Sequence, residues 1–128
     1  MKTILIVDDD QDLRYMLKYL IQSTTGFEVV GEAADGNEAI EQVRKLDPDL
    51  VIMDAAMPNM DGVEATKRVR DMQPRIYILG LTAFADYPEM MLGAGANKCL
   101  LKTEAYGNLT NILAQLKDES ESGESWVP

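Results

Sequence analysis

Three consecutive aspartates, Asp8, Asp9 and Asp10, close the apolar run TILIV (3–7), and a fourth, Asp54, closes LVIM (50–53). An aspartate at the end of a buried strand is costly unless its charge is compensated. Thr82 ends IYILGLT (76–82), and Lys102 follows KCLL (98–101). If these runs are neighbouring strands, carboxylates, a hydroxyl and an ammonium converge on one rim. Two carboxylates about 4 Å apart repel by roughly 1 kcal/mol in bulk water and about 4 kcal/mol at an effective dielectric near 20. A cluster of three takes up a proton or recruits a cation. Hard oxygen donors without His or Cys select Mg²⁺ over zinc or copper, with Mn²⁺ as the alternative ion. Asp54, at the end of a rigid central strand, is then a nucleophile able to form an aspartyl phosphate. Lys102 would neutralise charge on a transferring phosphoryl group, and Thr82 would hydrogen-bond one of its oxygens.

Each residue alone has a duller reading. Acid runs are often solvated turns or caps, and Asp10 is read here as the cap of the following helix. Threonine ends strands through β-propensity, and a lone lysine is usually a surface residue. The coincidence at four strand ends favours the joint reading.

The elements that must bring these groups together follow from the hydrophobic pattern. LRYMLKYLI (13–21) puts Leu13, Met16, Leu17, Leu20 and Ile21 on one helical face. FEVVGEA (27–33) reads as a partly polar edge strand, and LVIM as a central one, apolar on both faces. Helices are predicted within ADGNEAIEQVRKL (34–46), over 63–72, 86–92 and 106–117. Five strands, each followed by a helix, give an α/β chain, and right-handed crossovers make the doubly wound (βα)₅ parallel sheet its natural form. Ligand sites in such sheets lie beyond the carboxyl ends of the strands.

Composition narrows the function classes. The 128 residues suit one domain with its own core. The net charge of −10, from 12 basic and 22 acidic residues, argues against direct nucleic-acid or anionic-membrane binding by this chain. There is no histidine and a single cysteine, Cys99, so a zinc site is not expected, and histidine chemistry within the chain is excluded. No apolar run approaches bilayer-spanning length, and MKTILIVDDD lacks the long apolar stretch of a signal peptide. A cytoplasmic protein is expected. Residues 118–128, DESESGESWVP, are polar and aperiodic, so they are expected to form an acidic, disordered tail behind a domain at 1–117.

Four pieces in order, ILIVDDDQDLR (4–14), DLVIMDAAMPNMDG (49–62), LTA (81–83) and GANKCLLK (95–102), resemble the receiver domain of bacterial two-component response regulators. VVGEAADGNEA, MDGVEATKRVR and LLKTE look most like the branch that often carries a C-terminal helix-turn-helix domain. The resemblance implies a flavodoxin-like sheet of strand order 2-1-3-4-5. It implies Asp54 as phosphoacceptor, Asp8 and Asp9 as the acidic pair of a metal site shared with Asp54 and the Ala56 carbonyl, Thr82 as switch hydroxyl and Lys102 as the family's lysine. Its implied role is a signalling switch, catalysing only its own phosphorylation and dephosphorylation. The implied partners are a sensor histidine kinase or phosphotransfer protein upstream, a downstream protein or output domain, and a second copy in a phosphorylation-dependent dimer.

The chain departs from the family pattern in four places. Cys99 stands where an aromatic residue usually reports phosphorylation, and Thr103 follows Lys102 where many receivers have proline. The segment from Thr82 to Gly95 is short, so helix four is expected to be short. Ala56 and Phe84, two residues beyond Asp54 and Thr82, offer no polar group to orient water, and Phe84 is expected to cover part of the site.

Two rivals are weighed. Asp8-Asp9-Asp10 is similar to the Asp-x-Asp of haloacid-dehalogenase-type phosphatases, which would make Asp8 the nucleophile, but that leaves Asp54 unexplained. A receiver serving only as an interaction module is the other, although every site residue is present. A nucleotide-binding fold is weaker still, because the Gly-rich phosphate-loop motifs are absent.

Overall fold

A computed structural model describes residues 1–121 of the chain. Strands and helices alternate in the order β1 (Lys2–Val7), α1 (Gln11–Gln22), β2 (Phe27–Ala33), α2 (Gly36–Leu46), β3 (Leu50–Asp54), α3 (Gly62–Met72), β4 (Tyr77–Thr82), α4 (Tyr87–Ala94), β5 (Lys98–Leu101) and α5 (Lys102–Glu121). The five strands form one sheet of order β2-β1-β3-β4-β5. All four strand pairs are parallel. This is the doubly wound α/β architecture expected from the sequence.

Alternation along the strands divides the core into two layers. Ile4, Ile6, Leu50, Ile52, Leu79 and Leu81 pack on one face with Leu17 and Ile21 of α1 and Leu109, Leu113 and Leu116 of α5. Leu5, Val7, Val51, Met53 and Ile78 pack on the other with Ala39 and Val43 of α2, Ala65 and Val69 of α3, and Met91 of α4. Strand β3 is buried at all five positions, while β2, on the edge, is mostly half-buried. That is why LVIM is uniformly apolar and FEVVGEA is not.

Local chemistry sets the helix starts. Asp10 caps α1, accepting from the Asp12 and Leu13 amides at 2.9 and 3.4 Å. Asp35 and Asp61 cap α2 and α3 through the Glu38 and Glu64 amides at 2.9 and 3.0 Å. Helix α4 differs: Asp86 makes no capping bond, and Pro88 occupies the first turn. Its other end is anchored. Arg70 of α3 donates to the Gly95 carbonyl at 3.0 and 2.9 Å, to the Pro74 and Ile76 carbonyls at 2.9 and 2.7 Å, and to Asn97 Oδ1 at 2.7 Å. The helix is thus held firmly at its C-terminal end and lightly at the end beside Thr82.

Helix α5 corrects the expected boundaries at both ends. It begins at Lys102 rather than 106 and continues to Glu121 rather than 117. A residue before proline is pushed out of the helical region; with Thr103 in the next place, Lys102 can be helical. Beyond Lys117, residues 118–121 (Asp, Glu, Ser, Glu) continue the helix with no Gly or Pro before Gly123, so polarity alone did not mark its end. The expected tail therefore gives up residues 118–121 to the helix, and its remainder, including Trp126, lies outside the described residues.

Gly62 explains the tight turn after Asp54. Its amide donates to the Ala55 carbonyl at 2.8 Å. A Cβ there would stand 1.9 Å from the Asp54 carbonyl oxygen and 2.7 Å from Ala55 Cα. Backbone cannot yield as a side-chain tip can. Gly62→Ala is expected to cost about 1–3 kcal/mol or more through overpacking. Urea unfolding measures it, and a midpoint unchanged from native would contradict so close an approach.

Candidate functional site

The parallel register brings the strand ends level. Val7 pairs with Met53, and Asp54 with Leu81, so Asp8 and Asp54 leave adjacent strands at the same height and Thr82 follows one residue on. Ligand oxygens of Asp8, Asp9 and Asp54 lie within 4.8 Å of one another. Asp8 and Asp54 are buried and Asp9 is exposed, which leaves one open side to the cluster. Lys102, placed at the start of α5 directly after β5, reaches over the sheet rim. Its Nζ stands 3.0 Å from Asp8 Oδ2 and 3.5 Å from Asp54 Oδ1.

The electrostatics follow from crowding acids in a half-dry rim. Burial, and then the neighbouring charge of Asp8, push the Asp54 carboxyl up to about 7. Lys102 and a hydrogen bond from the Ala56 amide act the other way without cancelling the rise. For Lys102, burial opposes the charged form. Its bond to Asp8 and the charges of Asp54 and Asp8 outweigh that, and the net shift is upward. The lysine is firmly cationic while the acids remain under-compensated. Three carboxylates sharing one ammonium fit a divalent hard cation, because the ligand atoms this cluster offers among the described residues are carboxylate oxygens.

Thr82 is fully buried beside Asp54 in the sheet, but its hydroxyl is engaged with its own loop. It accepts from the Phe84 amide at 3.0 Å and donates to the Phe84 carbonyl at 3.4 Å. Phe84 itself is 54% exposed, and its ring packs against that of Tyr87 with centroids 5.9 Å apart. Cys99 is half-buried, with its sulfur close to Gly80 and its side chain against the layer that contains Met91, and burial pushes its thiol up to about 11. Its small side chain suits that packing.

Two residues near the site were not singled out from sequence. Arg14 of α1 donates from Nη1 to the Asp8 carbonyl at 2.7 Å. Tyr106 lies one helical turn after Lys102; its phenol oxygen is buried without a hydrogen-bond partner among the described residues, and burial raises its pKa. Only the i, i+4 spacing from Asp10 and from Lys102 hinted at either.

Such a rim, at the carboxyl ends of a 2-1-3-4-5 sheet, defines a receiver-type α/β domain. The family model for the response regulator receiver domain matches residues 4–114, and the chain belongs to that family. The role of this family is that of a phosphorylation-controlled signalling switch. The response regulator protein VraR of Staphylococcus aureus is 41% identical over 112 residues, covering 86% of this chain and 54% of VraR. The chain thus spans about half the length of the curated relatives it matches. A two-component response regulator of the LuxR family from Aurantimonas sp. SI85-9A1 superimposes with a TM-score of 0.83 at 30% identity, over 98% of this chain and 88% of that one. The response regulator protein TrrA from Thermotoga maritima, solved in complex with Mg(2+)-BeF, gives 0.80 at 32% identity, over 91% and 99%. Among the described residues no helix is long and apolar enough to cross a membrane.

Proposed function

We propose that the chain accepts a phosphoryl group on Asp54 and thereby alters a partner-binding surface. The observation that carries this reading is the meeting of Lys102 with Asp8 and Asp54 at 3.0 and 3.5 Å, beside a third carboxylate from Asp9. An Asp54 oxygen forms the new O–P bond as the bond from phosphorus to the donor breaks. That bond is P–N in a phosphohistidine, with the electron pair leaving on the imidazole nitrogen, or P–O in an acyl phosphate, with the pair leaving on the released carboxylate. The donor is a phosphohistidine on a sensor kinase or phosphotransfer protein, or a small acyl phosphate. Lys102 neutralises a phosphoryl oxygen, and Thr82 trades its bond to Phe84 for another. Asp8, Asp9, Asp54 and the Ala56 carbonyl would hold Mg²⁺, with Mn²⁺ as a substitute. When bound, the ion screens repulsion between the phosphoryl oxygens and the acids.

Phosphorylation adds about −1.5 to −2 charges to the rim. The element best suited to respond runs from Thr82 through α4, which lacks a side-chain cap at that end. Its exposed apolar residues Phe84, Met90 and Leu92 would change partners, whether with an output domain, another protein or a second copy of the chain. Catalysis is limited to the chain's own phosphorylation and dephosphorylation, in the cytoplasm. Nucleic-acid contact would come from another domain.

The test is incubation with acetyl phosphate, with and without Mg²⁺, read as intact mass. A Mg²⁺-dependent gain of one phosphoryl group in native protein, absent in Asp54→Ala, is expected. A gain retained by Asp54→Ala would transfer the role to another acid, as the Asp8-nucleophile alternative requires. Once formed, the aspartyl phosphate should be long-lived, because neither Ala56 nor Phe84 can orient water. Ala56→Asn is expected to shorten its lifetime several-fold in a phosphate-release assay, and a longer lifetime would contradict this assignment.

A further inference from the structure

Asp8 is tied at every polar atom. Its amide donates to the Ala33 carbonyl at 3.0 Å. Its Oδ1 accepts from the Asp10 amide at 2.9 Å, and its Oδ2 from Lys102. The remaining carbonyl is taken by Arg14, whose side chain is 16% exposed. Arg14 is itself held from the far side: its Nε meets Glu32 Oε1 at 3.1 Å, and Lys18 approaches Glu32 Oε2 at 3.5 Å.

Glu32 is available for this only because β2 carries a bulge. Ile4 pairs with Val29, yet Leu5 pairs with Gly31, so one residue is inserted in β2. Phe27 and Val29, before the insertion, pack with the α1–α5 layer, whereas Ala33, after it, packs with the other. Glu32 therefore shares the face of its partner Ile6, towards α1. Without the inserted residue, Glu32 would pair with Val7 and point to the opposite layer, away from Arg14. Bulges beside functional sites commonly re-aim a side chain in this way.

We infer that Arg14, oriented by Glu32, is a positioning residue that holds the Asp8 carbonyl and so sets the spacing of the Asp8–Asp9 carboxylates for a divalent cation. The inference rests on the metal-dependent reading above. A guanidinium fork satisfies the two acceptors, a backbone carbonyl and a carboxylate, at once, whereas a single ammonium is a point donor. Outer partners that orient metal ligands commonly change affinity without touching the ion.

The test is calorimetric titration of the full chain with Mg²⁺, comparing native protein, Asp9→Asn, Arg14→Gln, Arg14→Lys and Glu32→Gln. Native protein is expected to bind Mg²⁺, and Asp9→Asn to lose most of that binding. If native protein does not bind Mg²⁺, the reading of the site falls, and this inference with it. Given native binding, Arg14→Gln is expected to weaken affinity by about 10-fold or more. In acetyl phosphate labelling, the Mg²⁺ concentration for half-maximal rate should rise while the plateau rate stays native, a split that general destabilisation would not produce. Arg14→Lys should recover part of the affinity, and Glu32→Gln should shift it the same way by less. Affinity of folded Arg14→Gln indistinguishable from native overturns the inference. If that variant does not fold, Glu32→Gln decides: an unchanged Mg²⁺ affinity overturns the inference equally.

Discussion

Lys102→Met is expected to destabilise the metal-free protein at pH 8 by about 3–5 kcal/mol, the usual cost of removing one partner from a buried charge pair. The lysine is the cation that faces both Asp8 and Asp54, and its side chain is only 14% exposed. Methionine matches its length but leaves the acids to repel each other and to take up protons. Urea unfolding in EDTA would report the loss. Saturating Mg²⁺ should restore most of it, since a divalent ion can neutralise the same carboxylates. Labelling by acetyl phosphate should slow by about 100-fold, as when one preorganised electrostatic donor is removed. Native-like stability in EDTA would mean the ammonium is not what holds these acids together.

Asp54→Asn is expected to act in the opposite direction. The carboxyl has an ordinary value of 3.8 and is raised to about 7 by burial and then by Asp8. Between those values the folded state binds a proton that the unfolded state has released. Stability of metal-free native protein should therefore fall as pH rises from about 4 to 7 and level off above. The full penalty, present above pH 7, is about 4 kcal/mol as an upper bound at about 1.4 kcal/mol per pKa unit, and about 2–4 kcal/mol once solvent screening of the partly wet rim is allowed for. Asparagine keeps the shape and removes the charge, so Asp54→Asn should gain stability of that order at pH 8 and little at pH 4. Unfolding curves across this range in EDTA measure the difference. A variant less stable than native at pH 8 would show that the charge is not a burden there. Mg²⁺ should stabilise native protein more than the variant, because the ion relieves a repulsion that the variant lacks.

These effects share one origin, the concentration of acids at a sheet rim with too little cationic compensation. A phosphoryl group arriving at Asp54 would add charge to the same place, and the lightly held start of α4 lies beside it. A rim already near its electrostatic limit is well placed to move a neighbouring element when charge is added.

Much of this was legible along the chain. Period-two and period-3.6 apolar patterns are local properties of a polymer that must bury one face of each element, so the strands, the helices and the parallel architecture could be read in order. The strand-end residues Asp8, Asp54, Thr82 and Lys102 were identifiable because a polar group ending an apolar run stands out without reference to the fold. The resemblance to receivers supplied their implied roles.

What depended on pairing between distant segments was not legible. The β2 bulge that turns Glu32 towards Arg14 is a register event between two strands, and no pattern within β2 announces it. The direction of the Thr82 hydroxyl and the packing of Phe84 on Tyr87 depend on how one loop closes. The start of α5 at Lys102 depends on the absence of a proline, but its reach over Asp8 and Asp54 depends on β5 lying at the sheet edge. Sequence determined which groups stand at the strand ends, because burial periodicity is written locally; the tertiary structure alone decided which of them touch, because distances between segments arise only when the sheet is assembled.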